Sequence, residues 1–237
     1  MIKVENIIIY NIDNAIKGMR NPLQSWDKSD SEYVDCLEID IDCNNCPYNL
    51  DSGHCYGTGT RFVYMIGEKD LELAMKLVRA GAEHRKFLRQ IFVSMDITAP
   101  LYWWKEMDTY KVGTTANSTS TMHTLHKRPL TIDDFSFDEV GEIETQLICK
   151  LNSLIEIIQV YKDNLQEKEK YWRRLIQLLP SSFNQMRTWT SNYEVLRNIY
   201  HQRKNHKLSE WKEFCRVLET LPYSQFITVG GGEKSDF

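Results

Sequence analysis

The sequence predicts an α/β protein of the α+β kind, in which long helices pack against a mixed sheet. Short runs rich in β-branched and aromatic residues, such as residues 7–10 (IIIY), are typical of strands. They alternate with longer segments in which apolar residues recur at helical spacing. Hydrophobic residues make up 42% and charged residues 26% of the 237 positions, an ordinary globular composition. We therefore expect residues 1–237 to form a single domain.

The N-terminal half contains two predicted strands and two predicted helices. The isoleucine run predicts a strand over residues 4–10, and a short helix over 13–19 follows it. A second strand is expected over 61–66. The apolar spacing of residues 70–80 is helical, and Gly81 provides a stop because glycine commonly ends helices in a left-handed conformation.

From residue 87 onwards the chain is predicted to be mainly helical. A weak alternation of apolar residues predicts a strand over 87–97. Leucine and isoleucine recur at helical period through 142–179, which indicates one long helix or two. Ser191 and Glu194 have the spacing of a capping box, so a helix should open there, and a last helix is expected over 209–221.

The distribution of charge favours a small anionic ligand. The net charge of −4 gives no global field that would attract nucleic acid, so we do not expect nucleic acid as a partner. Four basic residues nevertheless cluster locally: Arg197, Arg203, Lys204 and Lys207. Such a cluster suits a single anion, because guanidinium groups bind phosphate bidentately, or it forms a solvated helix face.

The chain shows no targeting or membrane-spanning pattern. Its first ten residues contain one lysine and a short β-like run, which is not the pattern of a signal peptide. No apolar stretch approaches the roughly 20 residues that a membrane span requires. We therefore expect a cytoplasmic protein that does not bind membranes.

Cysteine usage points to a metal site. Four of the six cysteines lie within residues 32–61, which we interpret as an inserted Cys-rich knuckle: Cys36, Cys43, Cys46 and Cys55. The C-x-x-C spacing at 43–46 lets two sulfurs face one tetrahedral ion, so the set predicts structural zinc, with His54 as a substitute ligand. An iron–sulfur cluster or free thiols are the alternatives, since disulfides are disfavoured without secretion. Cys149 and Cys215 lie in helical patterns and are expected in the core.

The segment 96–123 combines aromatic, charged and small polar residues. Three Tyr and Trp residues precede Lys105 and Glu106, and a run of small hydroxyl-bearing residues follows. This composition predicts neither a core segment nor an amphipathic helix, although one of the adjacent Trp103 and Trp104 is expected to be buried. Small hydroxyl-bearing residues let backbone N–H groups approach a phosphate or a flat heterocycle closely. The segment is therefore a ligand-binding loop or an ordinary exposed Ser/Thr loop.

Two parts of the chain carry a family resemblance. The motif R-H-R-x-x-S-x-N-E-x-S-x-R-Y fits residues 110–123 when its Asn falls on Asn117, and the motif G-H-x-x-P-F-E-H places its His on His84. This placement puts Thr115 on the motif's first Ser, Ser120 on its second Ser and His123 on its Tyr. Upstream, Ala99-Pro100 matches an Ala-Pro of the family with one residue of slack. Further positions recur at family spacing: Leu179-Pro180, Trp189-Thr190, Asn192, Asn198 and Arg203. These are motifs of the flavin-dependent thymidylate synthases, which the chain resembles from about Gly81 to Trp211.

The chain departs from this signature at its charged positions. Tyr110, Lys111 and Val112 stand in place of R-H-R, Ser118 in place of the Glu, and Met122 in place of the Arg. In the family those basic residues hold flavin and nucleotide phosphates. The resemblance therefore indicates a divergent member of the family.

The resemblance implies FAD-dependent methylation of dUMP to dTMP by a homotetramer, with methylenetetrahydrofolate and NADPH as co-substrates. It implies a catalytic role for Ser120 and substrate contacts from a larger set: Arg203, Arg187, Ser118, Thr119 and Ser120. It implies FAD contacts from a second set: His84, Lys111, Asn117, Asn192 and Asn198. The alternatives are an enzyme acting on another pyrimidine nucleotide, a non-catalytic nucleotide-binding homologue, and an interaction protein.

Overall fold

The computed structural model describes residues 2–35 and 62–230 of the chain, and these residues form strands and helices in alternation. The strands are β1 Lys3–Tyr10, β2 Glu32–Asp35, β3 Phe62–Met65, β4 Phe92–Pro100, β5 Thr115–Ser118 and β6 Asn184–Asn192. The helices are α1 Ile12–Met19, α2 Glu68–Ala80, α3 Leu101–Met107, α4 Thr121–Thr124, α5 Glu142–Val160, α6 Leu165–Leu178, α7 Tyr193–Arg203, α8 Ser209–Glu219 and α9 Gln225–Thr228. The predicted α/β fold class is confirmed.

Four strands form one sheet in the order β1-β4-β6-β5, while β2 pairs with β3 in a separate antiparallel ladder. Two side-chain hydrogen bonds show that β4 and β6 also run antiparallel. The Thr188 hydroxyl donates to Asp96 at 2.6 Å, and the hydroxyls of Thr190 and Ser94 lie 3.2 Å apart. A step of two residues forward on one strand thus matches a step of two residues backward on the other, as in an antiparallel register.

The chain divides into two compact units. Unit 1 comprises Met1–Lys3, Asp96–Tyr110 and Ala116–Thr188. Unit 2 comprises Val4–Met95, Lys111–Thr115 and Trp189–Phe237. Each unit consists of the described residues within these ranges. Both units are discontinuous in sequence. The expectation of a single domain over residues 1–237 remains a prediction.

Unit 1 is built around the helices α5 and α6. Apolar residues spaced three and four apart bury one face of each helix in a common cluster: Leu125, Leu130, Phe135, Leu151, Leu154, Ile155, Ile158 and Leu175. The helical pattern over 142–179 divides into two helices because Asn164 caps α6, its side chain accepting a hydrogen bond from the Glu167 N–H at 3.3 Å. Cys149 on α5 is exposed, so its predicted place in the core is wrong.

Residues 96–107 are more buried than their composition predicts, whereas residues 111–119 are mostly exposed. β4 leads through Pro100 directly into α3, and both Trp103 and Trp104 are buried, at 0% and 1% exposure. The Trp104 indole N–H donates to the Gln185 carbonyl at 2.9 Å, which satisfies its polar group inside the core. The prediction of a poor core segment with one buried tryptophan is therefore wrong for residues 96–107, because α3 turns both rings inward.

Unit 2 has its own apolar core, formed where α1, α2, α7, α8 and α9 bury their apolar faces. The largest fully buried side chains there include Trp211, Tyr193, Phe214 and Phe226. Phe87 meets Phe226 edge to face at 5.6 Å, which holds the turn before β4 against α9. The predicted burial of Cys215 on α8 is confirmed.

Two predicted boundaries differ from the structure. The strand predicted over 87–97 begins only at Phe92, because residues 86–90 form a 3₁₀ turn that buries Phe87 and Leu88. An alternation of apolar residues does not distinguish a short 3₁₀ turn from a strand. The cap of α7 is Asn192, one residue later than the predicted Ser191, since the Asn192 side chain accepts the Val195 N–H at 3.1 Å.

The start of α2 depends on a residue distant in sequence. The Asp30 carboxylate accepts the N–H groups of Lys69 at 2.9 Å and Asp70 at 3.1 Å, in the first turn of the helix. A Cβ at Gly67 would lie 2.3 Å from the Asp30 carbonyl oxygen, so only glycine allows this approach. At the other end Gly81 has φ 119° and ends the helix as predicted.

The predicted Cys-rich knuckle with Cys36, Cys43, Cys46, Cys55 and His54 lies outside the described residues. No helix within residues 2–35 and 62–230 is long and apolar enough to cross a membrane.

Candidate functional site

A pocket with a volume of about 770 Å³ opens in unit 2 beside the N-terminal half of α7, and we call it the α7 pocket. Its lining residues come from the turn before β4, from the 111–115 segment and from α7: Arg85, Arg89, Val112, Gly113, Asn192, Glu194, Val195, Arg197, Asn198 and His201. The volume falls within the roughly 300–1,000 Å³ that is typical of small-molecule sites.

Helix α7 provides one side of this pocket. Glu194, Arg197, Asn198 and His201 recur three and four residues apart, so they share one face of the helix. The start of the helix is fixed by two bonds: Asn192 caps it, and the N–H of Tyr193 donates to the Ile91 carbonyl at 3.0 Å. The pocket residues therefore lie on a regular element with a well-defined origin.

Gly113 allows the 111–115 segment to approach α7 closely. It has φ 75°, in the left-handed region, and a Cβ there would lie 3.0 Å from Asn192 Nδ2 and 3.4 Å from Val195. A side chain at this position would be strained and would crowd the helix start. Val112 beside it is 89% exposed.

The electrostatics of the pocket are dominated by arginine. Arg85 forms a bidentate pair with Glu194, with N–O distances of 2.8 and 3.0 Å. Arg197 is 4% exposed and donates to the backbone carbonyls of Phe226 and Ile227 at 3.3 and 3.2 Å. Burial lowers the pKa of Arg197, the positive charge of Arg85 lowers it further, and Glu194 opposes them. The lining contains three arginines and one carboxylate, so the pocket attracts anions.

His201 adds a titratable group to the same lining. Its Nε2 atom is shielded from solvent and has no hydrogen-bond partner within the described part of the chain. Burial lowers the pKa of His201, and the positive charges of Arg197 and Lys204 lower it further, which outweighs the opposing effect of the backbone carbonyls of Val229 and Ile227. The imidazole is therefore neutral near pH 7 and becomes a cation only when the pH falls or an anion binds nearby.

The structure brings together some of the predicted FAD contacts. Asn192 and Asn198 both line the α7 pocket, and Lys111 immediately precedes its lining residue Val112. His84 is exposed and immediately precedes Arg85. Arg203, the predicted phosphate ligand, lies on the same helix but outside the lining, where its guanidinium stacks over Trp211 at 4.8 Å.

The remaining predicted site residues belong to unit 1. Asn117 and Ser118 lie on the exposed strand β5. The N–H of Thr119 donates to the Met186 carbonyl at 2.9 Å, and the Ser120 side chain accepts the His123 N–H as the cap of α4. The backbone donor expected at 119 is therefore already bonded within the protein.

Arg187, also in unit 1, has several intramolecular partners. It donates to Asp108 at 2.7 Å and to the Gln185 side chain at 3.0 Å, and it stacks over Trp104 at 4.2 Å. An external anion would compete with Asp108 for this guanidinium.

Sequence reasoning missed the residues that give the pocket its charge. Arg85, Arg89, Glu194 and His201 were assigned no ligand role, although Arg85 and Arg89 are four residues apart beside His84. The available signal was the presence of two arginines within five residues of His84, a position that the family resemblance had already assigned to the site. Among the described residues, no group of three or more His, Cys, Asp or Glu could hold a metal ion. The four predicted zinc ligands lie outside those residues.

Comparison with known proteins shows the fold. No known protein family's sequence profile matches the chain, and no curated protein matches it. A crystal structure of the flavin-dependent thymidylate synthase ThyX from Helicobacter pylori, complexed with FAD and dUMP, superposes with a TM-score of 0.63 at 16% identity. The match covers 94% of this chain and 98% of that one. A second ThyX structure from Helicobacter pylori with FAD and dUMP gives a TM-score of 0.62 at 15% identity, covering 94% and 97% of the two chains. The chain therefore has a fold similar to that of these ThyX structures.

Proposed function

We propose that this protein is a flavin-dependent thymidylate synthase that methylates dUMP to dTMP, using FAD, methylenetetrahydrofolate and NADPH. The observation that carries the proposal is that Asn192 and Asn198, matched to the family on sequence alone, line one pocket in a ThyX-like fold. Function does not follow from fold alone, so the residues of the pocket must also suit the cofactor.

The α7 pocket fits a flavin nucleotide in size and in chemistry. Its volume of about 770 Å³ and its cationic lining suit a ligand that combines a planar ring with phosphate. The Asn192 carbonyl accepts the Val195 N–H, and the Asn198 carbonyl accepts the Gln202 side chain at 2.8 Å. These bonds occupy the two oxygens, so the amide N–H groups are the parts that a ligand can use. Both asparagines would then donate to carbonyl oxygens or ring nitrogens of the ligand.

These donors indicate which roles belong to the cofactor and which to the protein. When bound, reduced FAD supplies the electrons for the methylation, and the protein supplies position and electrostatics. Asn192, Asn198, Lys111, His84 and Asn117 are the proposed contacts to the cofactor. Lys111 falls on the His of R-H-R, between two arginine positions that are Tyr110 and Val112 in this chain. It supplies a point charge but not the planar, bidentate donor of a guanidinium, so it holds a phosphate in a less defined geometry.

For the substrate we propose phosphate binding by Arg203, assisted by Arg187 and by Ser118, Thr119 and Ser120. The N–H and the hydroxyl of Thr119 both donate to the Met186 carbonyl, at 2.9 and 3.2 Å, so Thr119 must exchange one of these bonds to bind phosphate. Stacking over Trp211 holds the Arg203 guanidinium in one orientation. Replacing it by alanine should weaken dUMP binding by about 2–5 kcal/mol if the contact is buried in the complex. Calorimetric titration of dUMP into wild type, Arg203→Ala and the exposed control Arg216→Ala tests this, and equal affinities would remove Arg203 from the site.

Ser120 is the proposed catalytic residue. Its oxygen accepts the His123 N–H at 3.3 Å, which leaves its O–H able to donate to a substrate. Ser120→Ala should lower kcat by a larger factor than it lowers dUMP affinity, whereas Ser120→Thr should retain part of the activity. A loss of binding equal to the loss of turnover would assign the hydroxyl to substrate binding only.

One pair of experiments tests the proposal as a whole. Purified protein should show the visible absorption bands of bound flavin, and the gene should restore growth of a thymidine-requiring strain without thymidine. Soluble expression with continued thymidine dependence and no flavin spectrum would contradict the proposal.

That outcome would favour the second candidate, a non-catalytic nucleotide-binding homologue. The observation behind it is that Tyr110, Lys111 and Val112 replace R-H-R and that Val112 is 89% exposed. A flavin-containing protein without thymidylate synthesis would instead indicate an enzyme acting on another pyrimidine nucleotide.

We also propose a homotetramer, which the family resemblance implies. Sedimentation velocity should show a tetramer, and a monomer that persists at high concentration would contradict it.

A further inference from the structure

The charged lining of the α7 pocket has an excess of arginine over carboxylate. Its members are Arg85, Arg89, Arg197 and Glu194. The Arg85 guanidinium holds both Glu194 oxygens, at 2.8 and 3.0 Å, so this carboxylate is already engaged. Arg197 donates to the carbonyls of Phe226 and Ile227, which carry no full charge. The lining therefore keeps a net positive charge even though Glu194 neutralises one of its arginines.

Two of these arginines lie close enough to repel each other. The charge of Arg85 lowers the pKa of Arg197 in addition to the effect of burial. A buried cation is costly unless an opposite charge compensates it. An anion in the pocket would attract both guanidinium groups and offset this repulsion.

Further donors line the same space. Asn198 has its carbonyl bonded to Gln202, which leaves its amide N–H groups for a ligand. Gly113 allows the backbone to approach without a side chain, and the Nε2 atom of His201 is shielded from solvent without a partner in the described part of the chain. Phosphate groups are typically bound by such a combination of guanidinium, amide and imidazole donors.

We propose that Arg85, Arg89 and Arg197 form a binding site for the diphosphate group of a dinucleotide. These arginines lie outside the segment in which Tyr110, Lys111 and Val112 replace R-H-R, so phosphate-binding cations are supplied from another part of the sequence. The volume of about 770 Å³ leaves room for the organic part of the ligand beside its diphosphate. Identification of that ligand as FAD rests on the proposed function, whereas the anion site rests on the pocket itself.

The sharpest test removes the one carboxylate of the lining. Glu194→Gln should bind inorganic pyrophosphate about tenfold more tightly than wild type, because the change removes a negative charge and releases Arg85. Misfolding cannot produce such a gain. The control is Glu72→Gln, at an exposed position of α2, which changes the net charge by the same amount away from the pocket and should not tighten pyrophosphate binding. Equal affinity of wild type and Glu194→Gln, or equal tightening in both variants, would overturn the proposal.

A second test removes an exposed arginine of the lining. Arg89→Gln should weaken binding of pyrophosphate and FAD roughly tenfold and leave riboflavin, which has no phosphate, unchanged. Arg79→Gln, exposed at the end of α2, should change none of these affinities. Identical pyrophosphate affinity in wild type and Arg89→Gln would overturn the proposal that these arginines form a diphosphate-binding site.

The two proposals fail in different ways. Tight FAD binding that is insensitive to Arg89→Gln would support the proposed function and overturn the arginine site. Pyrophosphate binding that depends on Arg89 in a protein that does not bind FAD would support the arginine site and overturn the flavin function.

Discussion

Asp70 shows how one buried carboxylate organises the N-terminal part of unit 2. It is fully buried and accepts hydrogen bonds from Arg20 at 2.5 Å and from the hydroxyls of Ser29 and Ser31 at 2.6 Å. Burial raises the pKa of Asp70, but the bonds from the two serines and Arg20 outweigh burial and hold it below its ordinary value. The chain before β2 is thereby tied to the first turn of α2.

We predict that Asp70→Asn destabilises the fold by about 3–5 kcal/mol, because it leaves the Arg20 guanidinium buried without its carboxylate. Urea unfolding at pH 7 measures the change, with the exposed Asp133→Asn as a control that should shift stability by no more than about 0.5 kcal/mol. Since the pKa of Asp70 is lowered on folding, its contribution is present above the ordinary value of 3.8 and is lost as the pH falls through the folded-state pKa. Acid destabilisation should accordingly be weaker in Asp70→Asn.

His201 gives the α7 pocket a predicted pH dependence. The charged groups of the lining around it are Arg85, Arg89, Glu194 and Arg197, and Lys204 follows on α7. Because its pKa is lowered, the ring is neutral near pH 7, and a bound anion favours the protonated ring. Sulfate, whose charge is constant from about pH 5 to 8, should bind more tightly as the pH falls in this range. His201→Gln should flatten the profile, and an unchanged profile would assign the dependence to another group.

At the level of elements, the two asparagine caps offer a matched comparison. Asn192 caps α7 and Asn164 caps α6, each through a side-chain carbonyl that accepts the N–H three residues later. Replacing either by alanine should cost roughly 0.5–2 kcal/mol of stability. Only Asn192→Ala should also weaken flavin binding, since only Asn192 lines the α7 pocket. Equal flavin affinity in the two variants would restrict Asn192 to a structural role.

The elements that the sequence predicted well are those whose signal is local. Periodic apolar residues identified α2, α5, α6 and α8, and Gly81 ended α2 as expected. The sequence was less informative where contacts between residues distant in sequence determine the local structure. Asp30 caps a helix that begins nearly forty residues later, and the Arg85–Glu194 pair joins positions 109 residues apart. The same holds for the site: the family resemblance pointed to Asn192 and Asn198, while the arginines come together only through the tertiary fold.

The Cys-rich segment 32–61 is predicted to bind a structural zinc ion. The described residues on either side of its cysteines are Asp35, which ends β2, and Phe62, which pairs with Asp35 in the antiparallel ladder. We predict one zinc ion per chain, bound by Cys36, Cys43, Cys46 and Cys55. Elemental analysis should show it in wild type and in the exposed-cysteine control Cys149→Ser, but not in a Cys43→Ser/Cys46→Ser variant. Iron in place of zinc would indicate an iron–sulfur cluster, and neither metal would indicate free thiols.

At the level of the whole molecule, the chain folds into two units, and each unit is built from three separate stretches of the sequence. The boundary between the units falls within continuous strands: between Met95 and Asp96 in β4, and between Thr188 and Trp189 in β6. Neither unit can therefore be obtained as one uninterrupted piece of chain. Each of these two strands is one continuous backbone segment shared by both units, so we expect the loss of order in one unit to spread to the other.

We predict that the protein unfolds in a single transition. In urea, pulsed hydrogen exchange read by mass spectrometry should label α5 of unit 1 and α8 of unit 2 at the same midpoint. Leu154→Ala, which opens a cavity in the buried cluster of unit 1, should destabilise by about 2–5 kcal/mol and move both midpoints together. If the α8 midpoint stays in place while the α5 midpoint falls, the units unfold independently and the chain is two domains. A common shift would establish one cooperative domain and thus the single-domain organisation expected for residues 1–237.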